Sequence, residues 1–448
     1  MDRLIKKLSY TRIIAMSFLL VILVGSFILH LPISSRSGEW TPFFNCLFTA
    51  TSATCVTGLT VYDTYTQWSL FGQITILCMV QIGGLGLMSF ITMFSIFTKR
   101  KITLHERKLL MQSSGNMRMS GVMKLLKRII IGTFALEGIG AIAFMFVFIP
   151  KEGVLKGIYH SVFYAVIGFC NAGFDLTGEY QPFASFTLPG YQFNLPLNVI
   201  MMCLIFVGGI GFSVWNDIMR NKWHFKKYSL QSKIILLSSF VLLIAGAMIY
   251  LITEWNAALE GMTIGQKFLA ATFLSVTSRT AGYVTVDMST LSEAGGLFAV
   301  VLMCIGGAPA SMAGGIKITT MTILVYAIIC ESRGENDVTI FKRRLEDDLV
   351  KQAAVIALIY VTAIIASTML ICTLEDFSLR EILFETASAA STMGASMGIT
   401  PYLSVPSKII IMILMFGGRI GGLSLFLFFG EKKRQGNIAR PIEKVLIG

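Results

Sequence analysis

Four segments of this chain end alike: FTATSATCVTG (48–58), FYAVIGFCNAG (163–173), TFLSVTSRTAG (272–282) and FETASAASTMG (384–394). Their closing glycines, Gly58, Gly173, Gly282 and Gly394, lie 115, 109 and 112 residues apart, and a near-constant period within one chain marks an internal repeat. A second marker follows in each unit: QIGGLG (81–86), FVGGIG (206–211), CIGGAP (304–309) and FGGRIG (416–421). The paired glycines begin 25, 24 and 23 residues after the closing glycine in units one, three and four. In unit two they begin 35 residues after it, because DLTGEYQPFASFTLPGYQFN is inserted.

Each repeated segment contains an apolar run too short to cross a bilayer, set between runs of the roughly 17–25 residues that can. Long runs lie near 13–33, 69–98, 129–149, 195–219, 232–252, 294–330, 350–373 and 408–430. The chain is 54% hydrophobic and 14% charged, against about a quarter charged in soluble proteins, so the bilayer is its solvent. The expected fold is an all-α integral membrane protein with eight transmembrane helices. Its unit is span, short helix, glycine-ended loop, span, repeated over 1–98, 99–222, 223–346 and 347–448 as one translocating domain. The first span follows MDRLIKKLSYTR with no small-residue cleavage site behind it, and reads as a retained helix.

Net charge is +12, and its placement sets the orientation. Lys99, Arg100, Lys101, Arg107, Lys108, Arg118, Lys124, Lys127 and Arg128 face a single acid, Glu106, between spans two and three. Positively charged loops stay in the cytoplasm. With the basic segment 220–233 and the basic tail 431–448, this predicts a multi-pass plasma-membrane protein with both termini cytoplasmic. The loop 331–348 is mixed in sign, so its side follows from alternation alone. Basic runs here serve topology and headgroup contact, not nucleic acid.

Enzyme chemistry finds no constellation. The eight cysteines are scattered without a CxxC pair and read as small hydrophobes, with neither a disulfide nor a zinc site expected. His30, His105, His160 and His224 have no metal or acid–base spacing. GIGAIA (138–143) imitates a dinucleotide fingerprint but lies inside an apolar span with no strand before it. Any nucleotide control therefore comes from another chain.

Irregular backbone at membrane depth is tolerated only when buried in protein or lining a watery cavity. Four such loops around a pseudo-fourfold axis would ring the cavity with carbonyl oxygens, which can replace the hydration shell of a monovalent cation. Glycine adopts backbone angles closed to other residues and leaves no side chain in the way. The C-terminal ends of the short helices would add partial negative charge. Without a ring of carboxylates, the site suits a weakly hydrated monovalent ion better than calcium or magnesium. The double glycines read independently as close helix packing.

CVTGL, CNAGF, SRTAGY and STMGASMGITP in the four loops resemble the Trk/Ktr/HKT superfamily of potassium transporters over essentially the whole chain. Eight spans and the ending VLIG are most similar to the membrane subunit of a bacterial Ktr potassium uptake system. The resemblance implies a selectivity filter made of Cys55, Val56, Thr57 and Gly58; Cys170, Asn171, Ala172 and Gly173; Arg279, Thr280, Ala281 and Gly282; and Ser391, Thr392, Met393 and Gly394. Glycine in all four loops is the potassium-selective pattern, whereas serine in the first accompanies sodium preference in plant relatives. Cys55 and Cys170 depart from the hydroxyl or amide residues common at those places, which bears on filter support.

GGAPASMAGGIK (306–317) breaks the sixth span. By the same resemblance it is an intramembrane loop that obstructs permeation beneath the filter, formed by Gly306, Gly307, Ala308, Pro309, Ala310, Ser311, Met312, Ala313, Gly314 and Gly315. The plain alternative is a packing kink. Ionisable residues inside spans are functional candidates. Arg419 would hold the gate loop through its carbonyls or form a structural tie. Lys317 would anchor the loop or snorkel to the interface. Glu137 would pair with a cation or hydroxyl, and Glu385 would add negative potential outside the filter or bond a neighbour. The resemblance also implies a homodimer working with a cytoplasmic ring of nucleotide-binding regulatory subunits of the RCK/KTN type, docked on 99–128, 220–233 and 431–448. Potassium is the expected cargo, with sodium coupled or stimulatory. The rival readings are a secondary transporter of another small solute or of sodium, an intramembrane enzyme and a sensor without transport.

Overall fold

The computed structural model describes residues 10–86 and 122–421, apart from 184, 189, 223 and 336. Backbone groups in lipid must find their partners within their own segment, and the helix is what these apolar runs build. The first unit gives α1 (Tyr10–His30), α2 (Phe43–Cys55) and α3 (Leu70–Leu85). The second gives α4 (Val122–Glu152), α5 (Val154–Cys170), α6 (Leu195–Gly209) and α7 (Phe212–Asn221). The third gives α8 (Leu230–Glu254), α9 (Ile264–Thr277), α10 (Glu293–Cys304) and α11 (Ile318–Ser332). The fourth gives α12 (Asp347–Cys372), α13 (Leu379–Ser391) and α14 (Val405–Ile420).

Among the described residues, α1, α4, α8 and α12 are each long and apolar enough to cross a membrane alone. The 25 residues of α8 reach about 37 Å at the helical rise, more than the hydrocarbon core. Each long helix packs on the short helix of its own unit. Their outer faces leave Leu20 and Phe27, Ile244 and Ile252, and Leu358 and Met369 exposed, an apolar belt that lipid covers.

Three of the second helices, α3, α6 and α10, begin on side-chain caps: Ser69 accepts from the Gly72 N–H, Asn194 from Leu197 and Ser292 from Gly295. Such caps satisfy first-turn donors that have no helical partner. They stop at the paired glycines. α3 gives way to Gly86 at φ 77° and α14 to Gly421 at φ 95°. The expected continuous span 195–219 is corrected: after Gly209 the chain turns by 95° into α7, with Gly211 at φ 85°. The sixth span breaks between Cys304 and Ile318 as its composition indicates. Residues 87–98 and 422–430, in the second and eighth spans, lie outside the described residues.

The paired glycines are also close contacts. A β-carbon on Gly83 would overlap the Thr54 carbonyl oxygen, on Gly208 that of Phe169, and on Gly418 that of Ala390. Each oxygen belongs to the residue four before its unit's closing glycine, so the three units seat the second helix on the last turn of the short helix in one register. Gly208→Ala is therefore expected to destabilise the protein by about 1–3 kcal/mol, the cost of overpacking. Gly138→Ala in α4, with open space at its β-position, is expected to be neutral or to gain up to about 1 kcal/mol of helix propensity. Thermal unfolding in detergent distinguishes them, and equal midpoints would reject the packing contact.

On the basic side, Val122–Arg128 form the first turns of α4 rather than loop. Most of the expected docking stretch 99–128, and all of 431–448, lie outside the described residues. Segment 220–233 is described apart from 223, and exposes Lys226 and Lys227. Residues 331–348 carry a two-residue hairpin, β1 (Thr339–Ile340) with β2 (Arg343–Arg344), packed through Ile340 and Leu345 on Ile234.

Candidate functional site

Three short helices end in the same closure. In unit one the Val56 N–H donates to the Ala53 carbonyl (3.1 Å) and that of Thr57 to Ser52 (2.8 Å). Asn171 and Ala172 donate to Gly168 (3.2 Å) and Ile167 (3.1 Å), and Thr392 and Met393 to Ala389 (3.1 Å) and Ser388 (2.9 Å). This pair of bonds is the Schellman motif, whose turning position usually holds glycine. Here it holds Val56, Asn171 and Thr392, at φ 58°, 59° and 52°. Left-handed angles strain β-branched residues, and persist where the surroundings over-determine them. The third helix stops earlier, at Thr277, and its left-handed residue is Thr280 at φ 72°. In every unit the left-handed residue lies two before the closing glycine.

The four closing glycines meet. Gly58, Gly173, Gly282 and Gly394 have φ of 97°, 68°, 80° and 94°. A β-carbon on Gly58 would overlap the Ala172 carbonyl oxygen, on Gly282 that of Met393 and on Gly394 that of Thr57, while on Gly173 it would lie 3.2 Å from that of Ala281. Each glycine thus abuts the carbonyl preceding the next unit's glycine, and the fourth returns to the first. The ring closes in chain order. Units one and four add a hydroxyl brace, with the Gly58 N–H donating to Ser52 Oγ and that of Gly394 to Ser388 Oγ, each at 3.0 Å. Thr54 Oγ1, Thr57 Oγ1, Asn171 Oδ1 and Thr392 Oγ1 are buried beside the ring with no protein partner among the described residues.

On one side the ring forms the floor of a cavity of about 370 Å³. Asp63, Asp175 and Asp287, one from each of the first three units, line it, and among the described residues no lysine or arginine does. The insertion of unit two reaches over this mouth: the Phe183 N–H donates to Asp63 Oδ2 (3.0 Å), and Ser185 Oγ accepts from the Val284 N–H (3.3 Å). Carboxylates with no basic side chain raise the local cation concentration.

On the other side lies the loop from Ile305 to Lys317. Its ends are clasped by Gly306 N–H to Ile316 (2.8 Å) and Ile318 N–H to Gly307 (3.0 Å). Ala308 and Met312 donate to Gly209 (2.9 Å) and Gly208 (3.3 Å) of α6, and Phe212 of α7 donates to Ala310 (3.0 Å). Gly314 sits where a β-carbon would meet the Thr392 hydroxyl and lie 3.0 Å from the Ser391 carbonyl oxygen. The loop therefore touches the underside of the ring.

Arg419 donates to the Met312 carbonyl of this loop, and its other terminal nitrogen donates to Gly83 and Gly84 (3.0 Å) of α3. Lys317 Nζ donates to the Ala313 carbonyl at 2.7 Å. Arg279 turns into its own unit, its guanidinium donating to the Ser239 carbonyl (3.2 Å) and Oγ (3.3 Å) of α8. Glu385 accepts from the Thr400 hydroxyl at the mouth. The partner expected for Glu137 is corrected: it is neither cation nor hydroxyl but the Gln81 amide, at 2.9 and 3.2 Å. Gln81, the vestibule aspartates and the serine braces escaped sequence reasoning. The braces had a signal, since Ser52 and Ser388 stand six residues before their glycines.

A family profile described as "TrkH: Cation transport protein" matches residues 9–440. The chain is 38% identical to the "Potassium/sodium uptake protein NtpJ" of Enterococcus hirae, over 100% of this chain and 99% of that one. It is 34% identical to the "Ktr system potassium uptake protein B" of Bacillus subtilis, with the same two coverages. The fold is similar to the crystal structure of the potassium transporter TrkH from Vibrio parahaemolyticus, with a TM-score of 0.75 at 14% identity over 95% of this chain and 86% of that one.

Proposed function

Because the chain belongs to the TrkH family of cation transport proteins, we propose that it is the membrane subunit of a Ktr-type potassium uptake system, with the glycine ring as its selectivity filter. Four units, 1–98, 99–222, 223–346 and 347–448, surround one pseudo-fourfold pathway crossed by eight membrane segments. The observation that carries this reading is the closed ring, in which each closing glycine abuts the carbonyl before the next. It brings backbone oxygens from four units to one place, the requirement for replacing an ion's hydration. Helix C-termini converge there, and partial negative charge favours a cation. The membrane potential supplies the force, about 2.3 kcal/mol per charge per 100 mV.

The loop Gly306–Gly315, tied by Arg419 and Lys317, is the gate. Homodimerisation and a nucleotide-binding regulatory ring on the basic side complete the system. The printed name of the Enterococcus hirae relative, potassium/sodium uptake, supports a sodium role as a second reading. The test is uptake by proteoliposomes of the purified chain, with and without a regulatory ring, in potassium or sodium. We expect potassium flux at least about tenfold above sodium, a difference of about 1.4 kcal/mol. Equal fluxes, or none with the ring added, would sink the reading.

A further inference from the structure

The buried polar chain behind the second loop has no part in the mechanism so far. Glu137 of α4 is 4% exposed, and both carboxylate oxygens accept from Gln81 Nε2, at 2.9 and 3.2 Å. The Gln81 amide nitrogen thus faces the Glu137 carboxyl group. The amide oxygen is thereby turned toward Cys170, whose thiol donates to it at 3.4 Å. Cys170 ends α5 and precedes Asn171, the left-handed residue of the second loop.

The same turn of α3 has a second task. Gly83 and Gly84, two and three residues on, present the carbonyls that hold Arg419, and Gly84 is seated against both Cys170 Sγ and Met312 Sδ. Carbonyls in the last turn of a helix have no helical donor; α3 ends at Leu85, so these are free to accept. One helical turn thus carries an amide against the second loop and a carbonyl pair against the strut of the 305–317 loop.

We propose that Glu137 is a positioning residue for the pathway: by fixing Gln81, it sets the second loop of the ring and the seat of Arg419 together. The inference rests on the functional reading above and adds a residue outside the ring that controls selectivity without touching the ion, acting through Gln81 of the first unit. Sequence spacing could not supply it, since Gln81 and Glu137 are 56 residues apart.

The exchange of the two groups provides the test. In Gln81→Glu two carboxyl groups face each other and the amide donor to Glu137 is lost, and the potassium-to-sodium flux ratio in proteoliposomes is expected to fall about tenfold, the scale of a lost hydrogen bond that leaves a buried group unsatisfied. In the double variant Gln81→Glu, Glu137→Gln, an amide donates to a carboxylate that still accepts from Cys170, and the ratio is expected to return to within about twofold of the starting protein, as coupling within one network requires. Gln81→Leu, which removes both bonds without adding charge, carries the same expectation as Gln81→Glu should that variant fail to fold. A starting protein without selective flux overturns the functional reading and this inference with it. A selective starting protein whose ratio survives Gln81→Glu or Gln81→Leu, or is not restored by the exchange, overturns this inference alone.

Discussion

Gly394→Ser is expected to lower the potassium-to-sodium flux ratio by at least about tenfold, equivalent to about 1.4 kcal/mol of discrimination. Gly394 stands at φ 94°, and any β-carbon there overlaps the Thr57 carbonyl oxygen of the first loop. Serine must therefore displace an oxygen that the proposed filter uses, or drag its own backbone out of the ring. Either movement alters distances that decide between ions of equal charge, while attraction by the cavity stays as it was. The fitting control is Gly398→Ala. Gly398 shares the φ of 94° but has nothing within 4 Å of its β-position, so it imposes backbone strain without moving a ring carbonyl. Its ratio is expected to stay near the starting value. Gly58→Ser, whose β-carbon meets the Ala172 carbonyl, should behave as Gly394→Ser does. A folded Gly394→Ser protein with unchanged ion preference would mean that the ring does not choose the ion.

Arg419→Ala is expected to raise flux in the absence of any regulatory partner by about tenfold or more. The guanidinium donates to Met312 in the loop and to Gly83 and Gly84 in α3. Hydrogen bonds to charged groups contribute about 1.5–3 kcal/mol each, and losing even one shifts a closed-to-open equilibrium by about tenfold. What remains on the loop is Lys317, which bonds carbonyls within it, and the backbone bonds to Gly208, Gly209 and Phe212. Arg419→Lys should fall between, since one ammonium cannot span carbonyls that a planar fork reaches. Removing 306–315 should go further than either. Unaltered basal flux in a folded Arg419→Ala protein would leave the loop as packing rather than a gate.

The parts legible in the sequence were those where the backbone leaves no choice. Glycine is needed at 58, 173, 282 and 394 because φ is positive there and the neighbouring carbonyl crowds the β-position, so the period survives in the letters. The paired glycines survive for the same reason. What was not legible depends on where distant segments meet. FVGGIG and QIGGLG look alike, yet after Gly209 the chain turns by 95°, held by bonds to a loop a hundred residues later. Glu137 signalled its own importance as an acid in an apolar run, but its partner could have been any donor on any neighbouring helix. Arg279 stood in the third loop like its counterparts, and only packing shows its side chain leaving for Ser239.

The loop beneath the ring belongs to one unit, although the wall around it is fourfold. Four copies would compete for the same central volume, so a pore assembled from identical subunits could not have it in this form. Fusing four quarters into one chain removes that restriction: one quarter is free to diverge in this loop while three remain wall. As the proposed gate, such a loop has no counterparts to wait for, and its opening would be a single event rather than the concerted decision of four.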